Sequence, residues 1–508
     1  MNDPQQRSRR PFWFLPIIVL EWAIVIWLGL EFLEAGRAFV AERAYREYFE
    51  AQNRKVYRMV PAEELNAPEN KFVPAAAGGE YPVLAAPVQT EGIQPAEDKL
   101  LEATIRGEMH ATFNGAGELL ASYGEPLIEQ DLKRFLNGRV SHGNWNLLLQ
   151  SIRSGQPGLT THFALTWTTP VHYDVTLSRR EDGRYEVLAR DVNNSMPLEA
   201  LHYGELPGPE SPWEVMFYRY KKNWRQEGNE LLRTNEFGFR DHAVTMPKPE
   251  GVYRIVCIGG STTEEGNSTD ASYPKILQRK LAEHFGEGKV EVINAGTCGT
   301  NSYNMRRRFA DFLAMEPDLI LYYGGVNDTT HVHFQFWLEA VPEWKRWARR
   351  SFLLKRYFGY YLLPDAGELA AYMRDTTYRN LLAMRYEARK KGVEMAWCSF
   401  AYPTLRWNDI RARNYYDVNM RDVWDGKGLI NFRAYCKVTD LFNATGRTIA
   451  EKENIPWFPI AENFHAGPDH FFDICHMTPL GMELKTNIFA GLVTTFLEER
   501  RGNQKPVE

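Results

Sequence analysis

Residues 253–267 read YRIVCIGGSTTEEGN, a short apolar run that stops in two glycines and then three hydroxyl side chains. The run has the length and composition of a buried strand. Gly259 and Gly260 let the backbone turn sharply and approach a neighbour closely. Such a strand end can be an ordinary turn, a phosphate cradle or the seat of a nucleophilic serine. A phosphate loop of the Walker type needs Lys and then Ser or Thr after its glycines, and a dinucleotide site needs G-x-G-x-x-G. Neither is present. The G-x-S-x-G elbow is absent too, because Thr263 holds the place of its second glycine.

Outward from this stretch, helical and strand patterns alternate. YPKILQRKLAEHF (273–285) carries an apolar face at helical spacing and is followed by VEVINAG (290–296). A helix around MRRRFADFLAM (305–315) leads to DLILYYGG (318–325), YRNLLAMRYEARKKG (378–392) to VEMAWCSFAYP (393–403), and LFNATGRTIAEKEN (441–454) to IPWFPI (455–460). Apolar strands separated by helices predict a parallel sheet covered on both faces, a three-layer α/β/α domain over residues 252–500. Functional residues then belong in loops at the carboxyl ends of the strands.

Three of those ends are GGSTT (259–263), NAGTCG (294–299) and GGVND (324–328), and DICHMTPLG (473–481) lies near the C-terminus. In this order the four blocks resemble the SGNH, or GDSL-like, hydrolase family over roughly residues 252–499. The resemblance implies that Ser261 is the nucleophile and that Asp473 and His476 complete the triad. It implies an oxyanion hole from the Ser261 and Gly299 amides and the Asn327 side chain. The usual Asp before the serine is Gly260 here. Gly296 is a rival for the oxyanion glycine, but the N-A-x-x-x-G spacing favours Gly299.

The chemistry requires these residue types on its own terms. A serine hydroxyl needs a base, and histidine is the side chain poised for it near neutral pH. Asp473 precedes His476 by three residues, so one helical turn would let the carboxylate orient the imidazole. Backbone amides and an asparagine amide can hold the tetrahedral oxyanion. Taken singly, each residue has an ordinary alternative: Ser261 as a helix cap, Gly299 and Asn327-Asp328 as turn residues, Asp473 as a cap with His476 a satisfied polar group. The four blocks in family order outweigh those alternatives. Cys298 and Cys475 flank the proposed site but lack a base motif of their own and are read as structural. No cofactor or metal is expected.

The N-terminal half is organised differently. After Arg7, Arg9 and Arg10, residues 11–33 form an apolar stretch long enough to cross a bilayer, although Glu21 within it costs about 2.5–3.5 kcal/mol on insertion scales. Without an A-x-A-like cleavage site this reads as an uncleaved single-pass anchor. The arginines before it place the bulk outside the cytoplasm, in the periplasm if the cell is bacterial. Residues 34–98 are a charged helix and an Ala/Pro/Gly-rich linker. Residues 99–195 form a small α+β domain: a strand hairpin around NGAG (114–117), a polar helical middle, and a meander closed by the Asp182-Gly183 turn. Over Leu101–Asn194 this order resembles a PAS domain, which implies a sensory or protein-interaction role. Residues 196–251 are a connector.

Net charge is -5 across 508 residues, with no basic bias of the kind nucleic-acid binding calls for, and the five cysteines form no C-x-x-C pair. Aromatic and basic insertions follow Asp328 and Pro403, positions suited to a lid or substrate wall that meets sugars or lipid headgroups. The expected function is a membrane-anchored serine hydrolase that cleaves an O-acyl ester of a carbohydrate or lipid. One alternative is an O-acyltransferase using the same acyl-enzyme. Another is a sensory or scaffolding protein whose hydrolase fold only binds a ligand.

Overall fold

The computed structural model describes residues 14–56, 97–138, 143–165, 171–191, 213–215, 219–226, 229–266, 268–329, 342–348, 350–404, 416, 431–465 and 467–503. The linker expected at 60–94 and most of the insertion after Pro403 lie outside them, as do residues 11–13 of the expected anchor.

Helix α1 (Phe14–Val56) is one continuous element, so the charged juxtamembrane helix is an extension of the apolar span rather than a separate piece. Within it, Pro16–Arg37 is long and apolar enough to cross a membrane, with a mean hydropathy of 2.0, and its apolar side chains are left largely exposed. At 1.5 Å per residue that span is about 33 Å long, close to the hydrocarbon thickness of a bilayer.

The second region opens with α2 (Glu97–Ile105), then β1 (Glu108–Phe113), β2 (Leu119–Gly124), α3 (Pro126–Leu136), α4 (Gly143–Arg153), β3 (Gly158–Leu165), β4 (Val171–Arg179) and β5 (Tyr185–Asp191). The strands form one antiparallel sheet in the order β2-β1-β5-β4-β3. Alternate residues of β5, Tyr185, Val187 and Ala189, face inward and pack with Met109, Ala111 and Phe113 of β1, as a half-buried strand requires. Beneath the sheet, Asp131 of α3 is buried but accepts from the Trp145 indole at 2.7 Å and the Tyr173 hydroxyl at 3.0 Å. The described parts of the connector form two short hairpins, β6 (Trp213–Val215) with β7 (Arg219–Tyr220) and β8 (Arg225–Gln226) with β9 (Asn229–Arg233).

The third region is the parallel α/β domain. It runs β10 (Tyr253–Gly259), α5 (Ser261–Glu264), α6 (Tyr273–Phe285), β11 (Val290–Gly296), α7 (Ser302–Arg307), α8 (Phe309–Leu313), β12 (Leu319–Tyr322) and α9 (Val326–Thr329). Then come α10 (Glu343–Ala348), α11 (Phe352–Phe358), α12 (Ala366–Met373), α13 (Arg379–Lys390), β13 (Glu394–Cys398), α14 (Phe432–Lys452), β14 (Trp457–Phe458), α15 (Ile460–Asn463) and α16 (Pro479–Asn503). The single helix expected over 305–315 is broken at Arg308 into α7 and α8.

All pairs in this sheet are parallel, in the order β11-β10-β12-β13-β14. Register partners share a face, which fixes the layers. Trp397 pairs with Trp457, and its ring meets Tyr378 beside α13; Cys398 pairs with Phe458, whose ring meets Phe496 of α16. Helices α13 and α16 therefore cover opposite faces of the sheet. Strand β10 lies between β11 and β12, so chain order reverses there and the three loops leaving these strands converge at one edge.

The two folded regions meet through buried charge. Arg306 of α7 pairs with Glu125 at 2.8 Å, both side chains almost fully buried, and also donates to the Thr104 carbonyl. Burial raises the Glu125 pKa against the lowering pull of Arg306. Next to it, Tyr303 donates to Asp191 at 2.7 Å and Arg307 pairs with the same carboxylate at 3.3 Å. Arg379 reaches Glu129 at 2.5 Å.

Candidate active site

Ser261 is the first residue of α5, directly after the two glycines at the end of β10. The glycines are required by close approach. A Cβ on Gly259 would fall 2.1 Å from both the Thr263 hydroxyl and the Tyr323 carbonyl, and one on Gly260 would fall 2.8 Å from Asn327 Nδ2. Gly260, the departure from the family pattern, thus leaves room for the Asn327 amide.

His476 Nε2 lies 2.7 Å from Ser261 Oγ, and His476 Nδ1 lies 2.5 Å from Asp473 Oδ2. The segment around them is not the helical turn expected from the spacing. Asp473 Oδ1 accepts from the backbone amides of Cys475 at 2.8 Å and His476 at 2.6 Å, so the carboxylate folds its own loop while its other oxygen faces the imidazole. Phe472 N donates to the His476 carbonyl at 3.1 Å, the Phe472 ring stacks on the imidazole, and Tyr435 donates to Ile474 O at 3.0 Å. These contacts hold the loop where a free three-residue spacer would not.

Burial alone would lower the His476 pKa, but the charge and hydrogen bond of Asp473 outweigh it and the net shift is upward. For Asp473, burial pushes up and the interaction with His476 pushes down harder, so it stays ionised at neutral pH. Cys475 is buried and its thiol pKa is driven far up by burial, which leaves no thiolate to compete with the serine. None of the five cysteines, all among the described residues, is in a disulfide.

On the opposite side, Thr297 N donates to the Gly259 carbonyl at 3.1 Å and Asn327 Nδ2 donates to Thr300 O at 2.7 Å, stitching the three strand-end loops together. An amide NH₂ carries two hydrogens, so Asn327 keeps a second donor. Gly299 adopts φ of 71°, a left-handed conformation that glycine accepts without strain. Among the described residues, the Ser261 and Gly299 amides have no hydrogen-bond partner, whereas the Gly296 amide is spent on Asn294 Oδ1 at 3.1 Å. The two glycines therefore differ in whether their amide is already bonded.

Two carboxylates that sequence reasoning passed over support this arrangement. Glu264, buried, accepts from the Cys298 amide at 2.5 Å and from the Tyr220 hydroxyl at 3.0 Å, while Arg240 donates to its carbonyl at 2.6 Å. The connector thereby grips the residue before Gly299. Burial raises the Glu264 pKa, opposed mainly by Arg240. Glu265 pairs with the fully buried Lys485 and accepts from Met477 N at 3.1 Å, and Lys485 also donates to Thr262 O at 3.0 Å. Their one signal in sequence was a pair of acids three and four residues after the strand-end serine. A third, Asp328, accepts from the Ser302 hydroxyl at 2.6 Å and the Thr377 hydroxyl at 2.9 Å; burial lifts its pKa to about 6.

Residues 257–484 match the model of the GDSL-like lipase/acylhydrolase family. Solved structures similar to the chain include a GDSL-like lipase from Bacteroides thetaiotaomicron, at 17% identity over 50% of this chain and 93% of that one, with a TM-score of 0.30. They also include a carbohydrate acetylesterase family member from Sinorhizobium meliloti (12% identity, 49% and 100% covered, TM-score 0.32). A third is an acetyl xylan esterase from Geobacillus stearothermophilus (16% identity, 47% and 94% covered, TM-score 0.31). No curated protein matches the chain. The strand-end serine at the switch point and the histidine loop facing it both lie within residues 257–484, the stretch that matches the GDSL-like lipase/acylhydrolase family model.

Proposed function

We propose that the protein is a membrane-anchored serine esterase that removes an O-acyl group from a carbohydrate or lipid through Ser261, His476 and Asp473. The observation that carries the reading is the unbroken line from Ser261 Oγ through the imidazole to Asp473, at 2.7 and 2.5 Å. His476 takes the serine proton as Oγ attacks the acyl carbonyl. Asp473 fixes the tautomer and stabilises the imidazolium. The Ser261 and Gly299 amides and the second Asn327 hydrogen receive the oxyanion. Collapse expels the alcohol, protonated by His476, and water then releases the acid. Glycine at 299 leaves space for the acyl group.

The anchor reading is supported by the exposed apolar span Pro16–Arg37. The antiparallel region 99–195 is proposed as a PAS-like module, supported by its hairpin, helices and closing meander. An acylated carbohydrate fits the acetylesterases among the similar structures by analogy only. The test is a panel of short and long acyl esters offered to the full chain in detergent, with and without a sugar acceptor. Free acid released by the protein and lost in Ser261→Ala is the expected result. Acyl transfer to the sugar in place of release would redirect the reading to an acyltransferase, and unchanged turnover in Ser261→Ala would overturn it.

A further inference from the structure

We propose that the segment Trp344–Tyr361 is a platform that lies in the bilayer interface and holds the catalytic domain against the membrane. The proposal rests on the anchor reading of Pro16–Arg37 given above. Large hydrophobic side chains left exposed among the described residues fall in two places, α1 and this segment, apart from Leu120, Leu147 and Met246. In the segment they are Trp344, Trp347, Phe352, Tyr357, Phe358 and Tyr361, all aromatic, with Trp344 62%, Trp347 66% and Tyr361 68% exposed. Trp and Tyr are the residue types that concentrate at the headgroup level, where a ring meets apolar chains and its polar edge stays wet.

The second observation is position. The platform packs on the last turns of the apolar span. Ser351 donates its hydroxyl, and Phe352 its amide at 2.9 Å, to Glu31. Tyr357 donates to Glu34 at 3.2 Å, and Arg356 pairs with Glu34 at 3.4 Å, leaving that carboxylate only 6% exposed. Both acids sit near the end of the span, so the helices bonded to them stand at the depth where hydrocarbon gives way to headgroups. Exposed Arg350 suits anionic headgroups, while the half-buried Lys345 donates to the Leu363 carbonyl at 2.9 Å and ties the start of the platform to the chain beyond it. Residues 330–343 separate the platform from α9, which carries Asn327.

The experiment is photolabelling of the full chain reconstituted in phosphatidylcholine vesicles containing phosphatidylglycerol, with a lipid that bears a diazirine near its headgroup, followed by peptide mapping. Label on both 16–37 and 344–361 is the expected result. Trp344→Glu combined with Trp347→Glu should then reduce label on 344–361 to the level of the β1–β2 turn while 16–37 stays labelled. Label on 16–37 alone, or full label on the doubly substituted platform, overturns the platform and leaves the anchor standing. Absence of label on both segments overturns the two together.

Discussion

The two sides of the candidate site are built by different means. On the nucleophile side the acid and the base are local: Asp473, Cys475 and His476 come from one loop, and Ser261 meets them from the end of β10. On the oxyanion side almost nothing is local. Gly299 sits between Cys298, whose amide is held by Glu264, and Thr300, whose carbonyl is held by Asn327. Glu264 is held by Tyr220 and Arg240 of the connector, and α7 just beyond is ion-paired to Glu125 and Asp191 of the antiparallel domain. Proton transfer needs one short, well-aligned chain, whereas a donor pair for a developing charge needs rigidity supplied from a distance.

The largest effect should come from the nucleophile side. Ser261→Ala or His476→Ala is expected to lower kcat by a factor on the order of 10⁶, and the double variant by no more than either alone, because base and nucleophile act as one unit. Additive losses in single-turnover assays would mean that the two side chains do not work together. Asp473→Asn should follow at about 10⁴. It should also move the acid limb of the kcat/KM profile. His476 must be neutral to act, and Asp473 raises its pKa above the ordinary value, so the wild-type rate falls as pH drops through that raised value. Removing the carboxylate's charge lowers the imidazole pKa and shifts the limb to lower pH; a limb that stays in place breaks the assignment of the carboxylate.

Smaller effects are expected across the site. Asn327→Ala should cost about 10²–10³ in kcat with little change in KM, the scale of one oxyanion donor. Glu264→Gln keeps the shape and weakens one charged hydrogen bond to the Cys298 amide, worth about 1–1.5 kcal/mol, so kcat should fall about five- to tenfold. If Glu264→Gln proves as damaging as Asn327→Ala, the connector does more than position the loop. The comparison would then have to be redrawn.

The same contrast explains what could be read from the chain alone. Strand periodicity marked β10, β11 and β12, and their terminal glycines, Asn327 and the D-x-x-H spacing marked the side chains that converge. The helical turn expected at 473–476 was wrong in form, because the Asp473 carboxylate captures two backbone amides and folds a turn instead. Glu125, Arg240 and Tyr220 were not legible, since each acts on a partner far along the chain and no local pattern records such pairing. The break at Arg308 has a similar origin: its guanidinium lies over the Phe239 ring, 4.0 Å from the centroid, and donates to the Phe237 carbonyl at 3.1 Å, contacts made to the connector.

The most direct measurement is the mass-mapped adduct of the full chain with a fluorophosphonate, which reacts with a serine only when a base has activated it. One adduct at Ser261 is expected, absent in Ser261→Ala and formed far more slowly in His476→Ala. An adduct on another serine, or a Ser261 adduct that forms at the same rate without His476, would contradict the account.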